Sequence, residues 1–259
     1  PPFSFAPPCR CADSPAMPAL YDTIGFDYAQ LRKPDPRIAA QIEHALCSAR
    51  TVLNVGAGAG SYEPSSREVT ALEPSAEMIR QRPHGAAPAV QGAAGAIPFP
   101  DRSFGAVMGI LTIHHWPDQQ QGVRELCRVA RDRVVLLTFD PAARPWLTDY
   151  LPELAALDDA TMPSLEQLAE WLGPVSVEPV LVPHDCTDGF LYAYWRRPAA
   201  YLDPRIRKGS SSFWKMQHAD AGLSRLAEDL DNGAWEQRYG SLLAQDSYDA
   251  GYRLVVSLR

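Results

Sequence analysis

The chain has 259 residues, and 24 Lys and Arg against 31 Asp and Glu give a net charge of −7. This length allows one large domain or two small ones, and 46% hydrophobic with 21% charged residues excludes a disordered or fibrous protein. The acidic balance argues against a nucleic-acid surface, which needs clustered Lys and Arg. No apolar run approaches the roughly 18 residues of a membrane helix, so we expect no membrane partner.

Residues 1–20 are predicted to form an irregular N-terminal arm, because six prolines interrupt any regular structure there. Cys9 and Cys11 lie in this arm, but no second ligand pair at zinc spacing follows, so we expect no metal site. Cys47 and Cys127 fall in helical apolar patterns that are typical of reduced, buried thiols. With no secretory signal pattern at the start, these features predict a cytoplasmic protein.

Strands and helices alternate along the first half of the ordered chain, which is predicted to begin near residue 21. Asp35 followed by Pro36 predicts a helix start, since the carboxylate caps the helix and the first helical position needs no N–H. Strands are predicted at 51–55, 69–73, 88–91, 104–111 and 133–139, with helices at 75–81 and 119–131 between them. This alternation implies a parallel sheet that is covered on both faces.

The second half of the chain predicts two further strands with a helical segment between them. Ser164 and Gln167 form a capping box for a helix that ends at Gly173. The strand at 175–182 contains Pro179 and is expected at a sheet edge, because proline removes a ladder donor. A last strand is predicted at 252–258. We expect a domain over 21–259, with its core at 50–183 and 249–259 and a helical insertion or lid at about 184–248.

Three alternating glycines follow the first strand, in the run Gly56-Ala57-Gly58-Ala59-Gly60. Such a turn at the carboxyl edge of a parallel sheet lets a ligand lie against bare backbone. Glu73 ends the second strand and can accept hydrogen bonds from both hydroxyls of an adenosine ribose. A dinucleotide site prefers G-x-G-x-x-G, whereas Ser61 occupies the third glycine position of that pattern here.

Four sequence blocks, at 52–60, 72–75, 92–104 and 111–118, together resemble class I S-adenosylmethionine-dependent methyltransferases. The similarity is to the small-molecule branch related to quinone-biosynthesis methyltransferases, including uncharacterised bacterial members, some encoded near antibiotic-biosynthesis enzymes. The resemblance implies an α/β, Rossmann-like fold with a seven-stranded, mostly parallel sheet in the order 3-2-1-4-5-7-6. Its last strand would be antiparallel, and a helical insertion or lid would be added.

The resemblance also implies S-adenosylmethionine as cofactor and assigns positions around its adenosyl group. Glu73 would hold the ribose hydroxyls. The adenine would be flanked by Pro74, Ser75 and Met78 on one side and by Ala93, Ala94, Gly95 and Ala96 on the other. The usual acid of the adenine loop is Ala93 here, so adenine recognition would use backbone groups.

The methionine end of the cofactor would lie against a second set of residues, by the same resemblance. These are Gly56, Ala57, Gly58, and the backbone of Gly109 and Leu111, with Tyr28 and Arg32 reaching the carboxylate. For Tyr28 and Arg32, a surface ion pair is an equal alternative. Asn54 stands where an acidic residue is common, so it offers one acceptor and no charge to the cofactor ammonium.

Methyl transfer from a sulfonium is an in-line displacement that needs a general base only if the nucleophile must lose a proton. His114 and His184 are the candidate catalytic bases, with a packing role as the alternative for His114. The run 184–188 also suggests a metal site, but adjacent ligands on one loop give poor tetrahedral geometry. Candidate substrate contacts are His115, Trp116, Tyr192 and Trp195, with packing inside the lid as the alternative.

These residues predict a methyltransferase that acts on an O, N or C atom of a small-molecule acceptor, with secondary metabolism as one setting. Two alternatives stay open, namely a catalytically weak S-adenosylmethionine-binding sensor or scaffold and an NAD(P)-dependent oxidoreductase. The expected assembly is a monomer or a homodimer.

Overall fold

A sheet of seven strands lies at the centre of residues 31–259, the part of the chain that the computed structural model describes. The described residues form nine strands in all, seven of them in this sheet: β1 (Thr51–Val55), β2 (Glu68–Glu73), β3 (Ala89–Gln91), β4 (Phe104–Ile110), β5 (Ala130–Phe139), β6 (Val175–Pro179), β7 (Val182–Pro183), β8 (Ser247–Tyr248) and β9 (Tyr252–Leu258). Strands β7 and β8 pair with each other as a separate ladder. The predicted arm at 1–20 and the candidate cofactor residue Tyr28 lie outside the described residues.

The strand order β3-β2-β1-β4-β5-β9-β6 confirms the predicted Rossmann-like α/β fold. Strands β1 to β5 pair with one another in parallel. The last strand, β9, runs antiparallel to both β5 and β6 and lies between them, with Val255 opposite Leu136 on one side and Val177 on the other. The sheet is therefore mixed only at this end, as the resemblance implied.

Pro179 closes β6, which is the edge strand of the sheet and pairs with β9 alone. A proline has no N–H to donate, so it is tolerated where one side of the strand has no partner. The predicted edge position is confirmed.

The helices are α1 (Pro36–Ala45), α2 (Ala76–Arg80), α3 (Gln119–Val129), α4 (Leu147–Tyr150), α5 (Pro152–Thr161), α6 (Leu165–Leu172), α7 (Pro204–Arg207), α8 (Ser211–Lys215), α9 (Ala219–Asp231) and α10 (Ala234–Tyr239). Asp35 caps α1 by accepting from the Arg37 N–H, as predicted. Ser164 and Gln167 form the predicted capping box of α6, and Gly173 ends that helix. None of the helices within 31–259 is long and apolar enough to cross a membrane.

Two hydrophobic clusters cover the two faces of the sheet. On one face, Met108 of β4 packs in the same cluster as Ile38 and Ile42 of α1. On the other face, the neighbouring residue Val107 packs in a cluster with Leu126 of α3. Successive strand residues point to opposite faces, so a strand that is buried on both faces has a continuous apolar sequence.

The segment between β7 and β8 is mostly helical, and the pairing of Val182 with Tyr248 closes it. Aromatic contacts attach this segment to α4. Trp146, just before α4, meets Trp235 of α10 edge-on with ring centroids 5.4 Å apart. Tyr150 of α4 donates a hydrogen bond to Asp229 of α9 over 2.7 Å. These contacts hold the helical segment beside the carboxyl ends of the central strands.

Several sequence expectations are wrong in detail, and one of them is the strand predicted at 175–182, which ends at Pro179. The helix predicted at 119–131 ends at Val129, because β5 begins at Ala130 and runs ten residues. Cys47 is exposed rather than buried, since it follows the end of α1 and adopts a left-handed φ of 51°. Cys127 is only partly buried.

Candidate active site

The glycine loop after β1 turns sharply beneath a neighbouring side chain. Gly56 has a φ of +69°, and a Cβ atom placed on it would lie 1.9 Å from Oγ1 of Thr112. The N–H groups of Gly56 and Ala57 both donate to the carbonyl oxygen of Leu72, which ties the loop to β2. Only glycine fits this conformation and this close approach. At Gly56 the loop therefore brings bare main chain against Thr112 at the mouth of β1.

Glu73 lies at the end of β2 with its carboxylate held by two backbone donors. The N–H of Gly58 donates to Oε2 over 2.8 Å, and the N–H of Ser75 donates to Oε1 over 2.9 Å. The residue is buried yet borders a cavity. Its orientation is thus set before any ribose hydroxyl arrives.

A cavity of about 350 Å³, called the first cavity below, lies between the glycine loop, the end of β2 and the turn after β4. Fourteen of the predicted site residues border it: Arg32, Asn54, Gly56, Ala57, Gly58, Glu73, Pro74, Met78, Ala93, Ala94, Leu111, His114, His115 and Trp116. Seven residues that the sequence did not single out as site residues also border it: Ala59, Ser61, Tyr62, Ile110, Thr112, Pro117 and Lys215.

Four other predicted cofactor positions do not border the first cavity, namely Ser75, Gly95, Ala96 and Gly109. Ser75 is buried as the cap of α2, where its hydroxyl accepts from the Met78 N–H. Gly109 faces packed side chains, because a Cβ on it would lie 3.0 Å from Leu136. Within the loop at 93–96, Ala93 and Ala94 border the first cavity, whereas Gly95 and Ala96 do not.

Two adjacent imidazoles stand at the inner end of the first cavity. The rings of His114 and His115 have centroids 3.9 Å apart. Burial, followed by the positive charge of Lys215 and Arg32, lowers the pKa of His115 to about 3. Burial also lowers the pKa of His114 well below its usual value. Both rings are therefore neutral near pH 7, and the low pKa weakens His114 as a proton acceptor.

Arg32 borders the first cavity but its guanidinium is held in a buried ion pair. Its Nε donates to Oδ1 of Asp188 over 2.6 Å, and Tyr62 donates to the other oxygen of that carboxylate over 2.9 Å. Arg32 and Asp188 have side chains that are 10% and 0% exposed. The cation that was expected to reach the cofactor carboxylate is thus fixed by a partner from the segment after β7.

Asn54 borders the first cavity and has a side-chain oxygen that can accept a hydrogen bond from a ligand. Its amide donates to Oε1 of Glu63 over 3.1 Å, and Glu63 in turn pairs with Arg82 over 2.6 Å. The Oδ1 of Asn54 is buried with no hydrogen-bond partner among residues 31–259. Buried acceptors are normally satisfied, so this oxygen fits a donor such as the ammonium of S-adenosylmethionine.

The bare glycine loop and the fixed carboxylate of Glu73 likewise fit the ribose of S-adenosylmethionine. The apolar wall that Met78 and Ala94 contribute fits an adenine ring, as expected for a mostly apolar nucleoside pocket. The described residues around the first cavity therefore agree with the cofactor that the resemblance implies.

A second, narrower cavity of about 60 Å³ adjoins the first. The two share the walls formed by Arg32, Leu111 and His114. The rest of the second cavity is bordered by Phe139, Asp158, Met162, Phe190, Leu191, Tyr192, Gly209, Ser210, Ser211, Ser212 and Tyr252. The candidate substrate residue Tyr192 thus lies in its wall.

Two candidates from the sequence border neither cavity. The ring of His184 lies 3.2 Å from the carbonyl oxygen of Asp246, beside the β7–β8 ladder. Trp195 is 1% exposed, and its indole N–H donates to the carbonyl oxygen of Val182 over 3.0 Å. In these positions His184 and Trp195 support the helical segment and do not face the space in which a ligand would bind.

Several residues that border the two cavities were not predicted from the sequence, among them two close to the motifs and two far from them. Thr112 lies inside the block at 111–118 and Tyr62 lies just past the glycine loop, so a closer look at those motifs could have found both. Lys215 of α8 and Asp158 of α5 lie far from any motif, and no local pattern marks them.

Comparison with known proteins agrees with this geometry. Residues 53–138 match the methyltransferase domain family. The chain is 35% identical to a candidate methyltransferase from an antibiotic biosynthesis pathway of Anabaena variabilis, whose crystal structure superimposes with a TM-score of 0.81 over 88% of this chain and 99% of that one.

Two curated bacterial relatives are more distant. The chain is 29% identical over 148 residues to the uncharacterised methyltransferase YcgJ of Bacillus subtilis, over 52% of this chain. It is 28% identical over 131 residues, 47% of this chain, to the uncharacterised protein YafE of Escherichia coli. The alignments span 58% and 63% of those relatives' own lengths. The fold, the match to the methyltransferase domain family and the similarity to the Anabaena protein agree. The chain belongs to the class I S-adenosylmethionine-dependent methyltransferases.

Proposed function

We propose that the protein transfers a methyl group from S-adenosylmethionine to a small-molecule acceptor that binds in the second cavity. The continuity of the two cavities supports this proposal, because Arg32, Leu111 and His114 border both. A cofactor in the larger space and an acceptor in the smaller one would meet at these shared walls. Placing two reactants in contact is the main contribution an enzyme makes to a displacement reaction.

The cofactor supplies an electrophilic methyl group on a sulfonium, and the residues of this chain bind, orient and shield it. Glu73 would hold the ribose through oxygens that Gly58 and Ser75 already orient. The buried oxygen of Asn54 would accept from the ammonium. Trp116, which is 8% exposed, donates to Oγ1 of Thr112 over 3.3 Å and closes one wall against water.

The size of the second cavity supports a small molecule, or a narrow end of one, as the acceptor. Its volume of about 60 Å³ matches a group of a few heavy atoms. The Anabaena relative is described as coming from an antibiotic biosynthesis pathway. That relationship supports a specialised metabolite as the acceptor, and a closer relation to quinone-biosynthesis methyltransferases stays a prediction.

The proposal is tested by two measurements on the purified full chain. Calorimetry compares binding of S-adenosylhomocysteine with binding of NAD. Incubation with methyl-labelled S-adenosylmethionine and a fractionated metabolite extract then detects transfer of label into small molecules. Glu73→Ala should weaken S-adenosylhomocysteine binding by on the order of 1–3 kcal/mol, the range for hydrogen bonds to a charged group. Glu68→Ala, at the exposed start of the same strand, is the matched control and should bind normally.

Each failure has a distinct meaning. Preference for NAD would favour the oxidoreductase alternative. Tight binding of S-adenosylhomocysteine with no labelled product in any fraction would favour a sensor or scaffold. Unchanged affinity in Glu73→Ala would remove Glu73 from the cofactor site.

A further inference from the structure

A buried carboxylate faces the second cavity from helix α5. Asp158 is 4% exposed, and Tyr192 donates to its Oδ2 over 3.3 Å. Within residues 31–259 this carboxylate makes no ion pair, and Tyr192 is its hydrogen-bond partner. Buried charges in proteins are usually paired. The positive charge of Arg144 acts on Asp158, but Arg144 makes its ion pair with Asp159 over 2.7 Å. Asp158 therefore brings to the cavity wall a negative charge that no ion pair within residues 31–259 compensates.

The other ionisable groups that border the second cavity do not offset this charge. The guanidinium of Arg32 pairs with Asp188 at 2.6 Å, so its charge is already compensated. Burial keeps the His114 ring neutral by lowering its pKa well below the usual value. Lys215 borders only the first cavity. The walls of the second cavity thus carry a net negative charge at the position of Asp158.

Four aromatic side chains border the same cavity as Asp158, namely Phe139, Phe190, Tyr192 and Tyr252. The ring of Phe139 lies 5.2 Å from that of Tyr192 and 5.5 Å from that of Tyr252, measured between centroids. Phe190 packs edge-on against Tyr252 at 4.7 Å. Ring faces attract cations through their quadrupole, and the attraction strengthens away from water. A carboxylate inside an aromatic wall is chemistry that binds an ammonium group rather than a carboxylate or a neutral alcohol.

We propose that the second cavity is an amine-binding subsite, in which the carboxylate of Asp158 binds a protonated amino group of the methyl acceptor. The inference rests on the proposed function, since it names the chemical class of the acceptor for that same site. A water molecule needs roughly 10–15 Å³ of such space, so a cavity of about 60 Å³ admits an amino group with a few carbon atoms. The rest of the acceptor extends past Leu111 and His114 toward the first cavity.

Three fragment probes of equal size and different charge test the assignment: propylammonium, 1-propanol and propionate. Each is titrated at constant ionic strength into the free protein and into its complex with S-adenosylhomocysteine, with affinity read by ligand-observed NMR. Propylammonium should bind, and the two other probes should bind at least about tenfold more weakly, since hydrogen bonds to charged groups contribute most of such selectivity.

Asp158→Asn should weaken propylammonium binding by about tenfold or more while leaving S-adenosylhomocysteine affinity unchanged. Asparagine keeps the shape of the side chain and an oxygen for Tyr192, so the fold should survive. Glu170→Gln is the matched control, because its exposed carboxylate on helix α6 borders neither cavity. That variant should bind propylammonium as the unaltered protein does.

A pH series separates recognition by the carboxylate from a merely structural role. Burial raises the pKa of Asp158 to about 6, and the hydrogen bond from Tyr192 opposes that rise. Propylammonium affinity should therefore fall as the pH drops through about 6, because the carboxylate takes up a proton. The other groups that face or lie near Asp158 are Tyr192, Tyr252, Arg32, His114, Arg144 and Asp159.

Two results would overturn the amine subsite. One is equal binding of propanol or propionate, and the other is unchanged propylammonium binding in Asp158→Asn. Loss of S-adenosylhomocysteine binding in the unaltered protein would count against the proposed function instead. The titrations of the free protein would still decide whether the subsite prefers an ammonium ion.

Discussion

Tyr192 donates a hydrogen bond to Oδ2 of Asp158 over 3.3 Å and so joins the segment after β7 to helix α5. The contact lies in the wall of the second cavity, where Phe139 and Tyr252 pack beside it. One hydroxyl donor offsets only part of the cost of burying a carboxylate. The folded protein therefore maintains a charged group at a position where an apolar side chain would be more stable.

The first prediction concerns the free-energy cost of burying the Asp158 carboxylate. The pKa of Asp158 in the folded protein, about 6, lies above its unfolded value of 3.8 because of burial. The folded state thus binds more protons than the unfolded state, so stability from this group is present below pH 3.8 and is lost as the pH rises through about 6. Asp158→Asn removes the charge and should raise the free energy of unfolding at neutral pH by on the order of 2–3 kcal/mol.

Urea unfolding at a series of pH values measures this effect. The gain of Asp158→Asn over the unaltered protein should shrink as the pH falls from about 6 toward 3.8. Glu170→Gln should show no comparable gain. A variant Asp158→Asn that is less stable at neutral pH would show that the carboxylate is compensated by a group we have not identified.

The second prediction concerns His115 and has the opposite sign. Burial lowers its pKa from 6.5 to about 3 in the folded protein, so the folded state binds fewer protons than the unfolded state. Stability is fully present above about pH 6.5 and is lost as the pH falls toward 3. His115→Gln should make the urea midpoint less sensitive to acid below about pH 6.5. An unchanged acid dependence would mean that His115 takes up its proton in the folded state.

The third prediction concerns the glycine loop. Gly56→Ala should reduce S-adenosylhomocysteine affinity by about tenfold or more, equal to about 1.4 kcal/mol, because its Cβ would lie 1.9 Å from Thr112 and force the loop to move. Gly85→Ala is the matched control, since Gly85 has a similar φ of +87° but open space around its Cβ. Both variants place an alanine in a left-handed backbone conformation, so that strain is common to the two. Calorimetry should therefore show a loss of S-adenosylhomocysteine affinity in Gly56→Ala alone, because only that variant forces a contact with Thr112.

The fourth prediction concerns the buried pair of Arg32 and Asp188. Asp188→Ala removes the partner of a guanidinium that is 10% exposed and also the acceptor of Tyr62. Thermal and urea unfolding should show a loss of about 3–5 kcal/mol, the range for breaking a buried ion pair by removing one of its members. Asp185→Ala breaks an exposed pair with Arg37 nearby and should change stability little. Equal effects in the two variants would contradict this account.

Local patterns were sufficient to predict most of the central sheet. The apolar runs in β4 and β5 are nearly continuous because these strands are buried on both faces, so the runs themselves and the turn residues that bound them indicate strands. Pro179 identified the edge strand because a missing N–H is a property of the residue itself. Gly56 and Glu73 could be predicted to lie close together, because Gly56 follows β1 and Glu73 ends β2. The carboxyl ends of these two parallel strands meet at one edge of the sheet.

Helix boundaries and distant partners were not predictable in the same way. Helices α4 and α5 were not expected, and α5 carries Asp158. Its apolar face is set by packing against other elements, and its hydrophobic pattern is weak. His184 and Trp195 looked like site residues from their chemistry, yet both lie beside the β7–β8 ladder, whose pairing depends on residues about 65 positions apart.

The sequence by itself predicted the parallel α/β sheet and the residues that we propose for the cofactor, because apolar strand runs, glycine turns and a carboxylate at a strand end are local features. Only the tertiary structure shows the second cavity, in which we propose that the acceptor binds. Asp158 and Tyr192 are separated by 34 positions in the chain, and their contact exists because α5 and the segment after β7 pack at the same end of the sheet. The chemistry that such contacts create arises from burial and proximity, which no single stretch of sequence encodes.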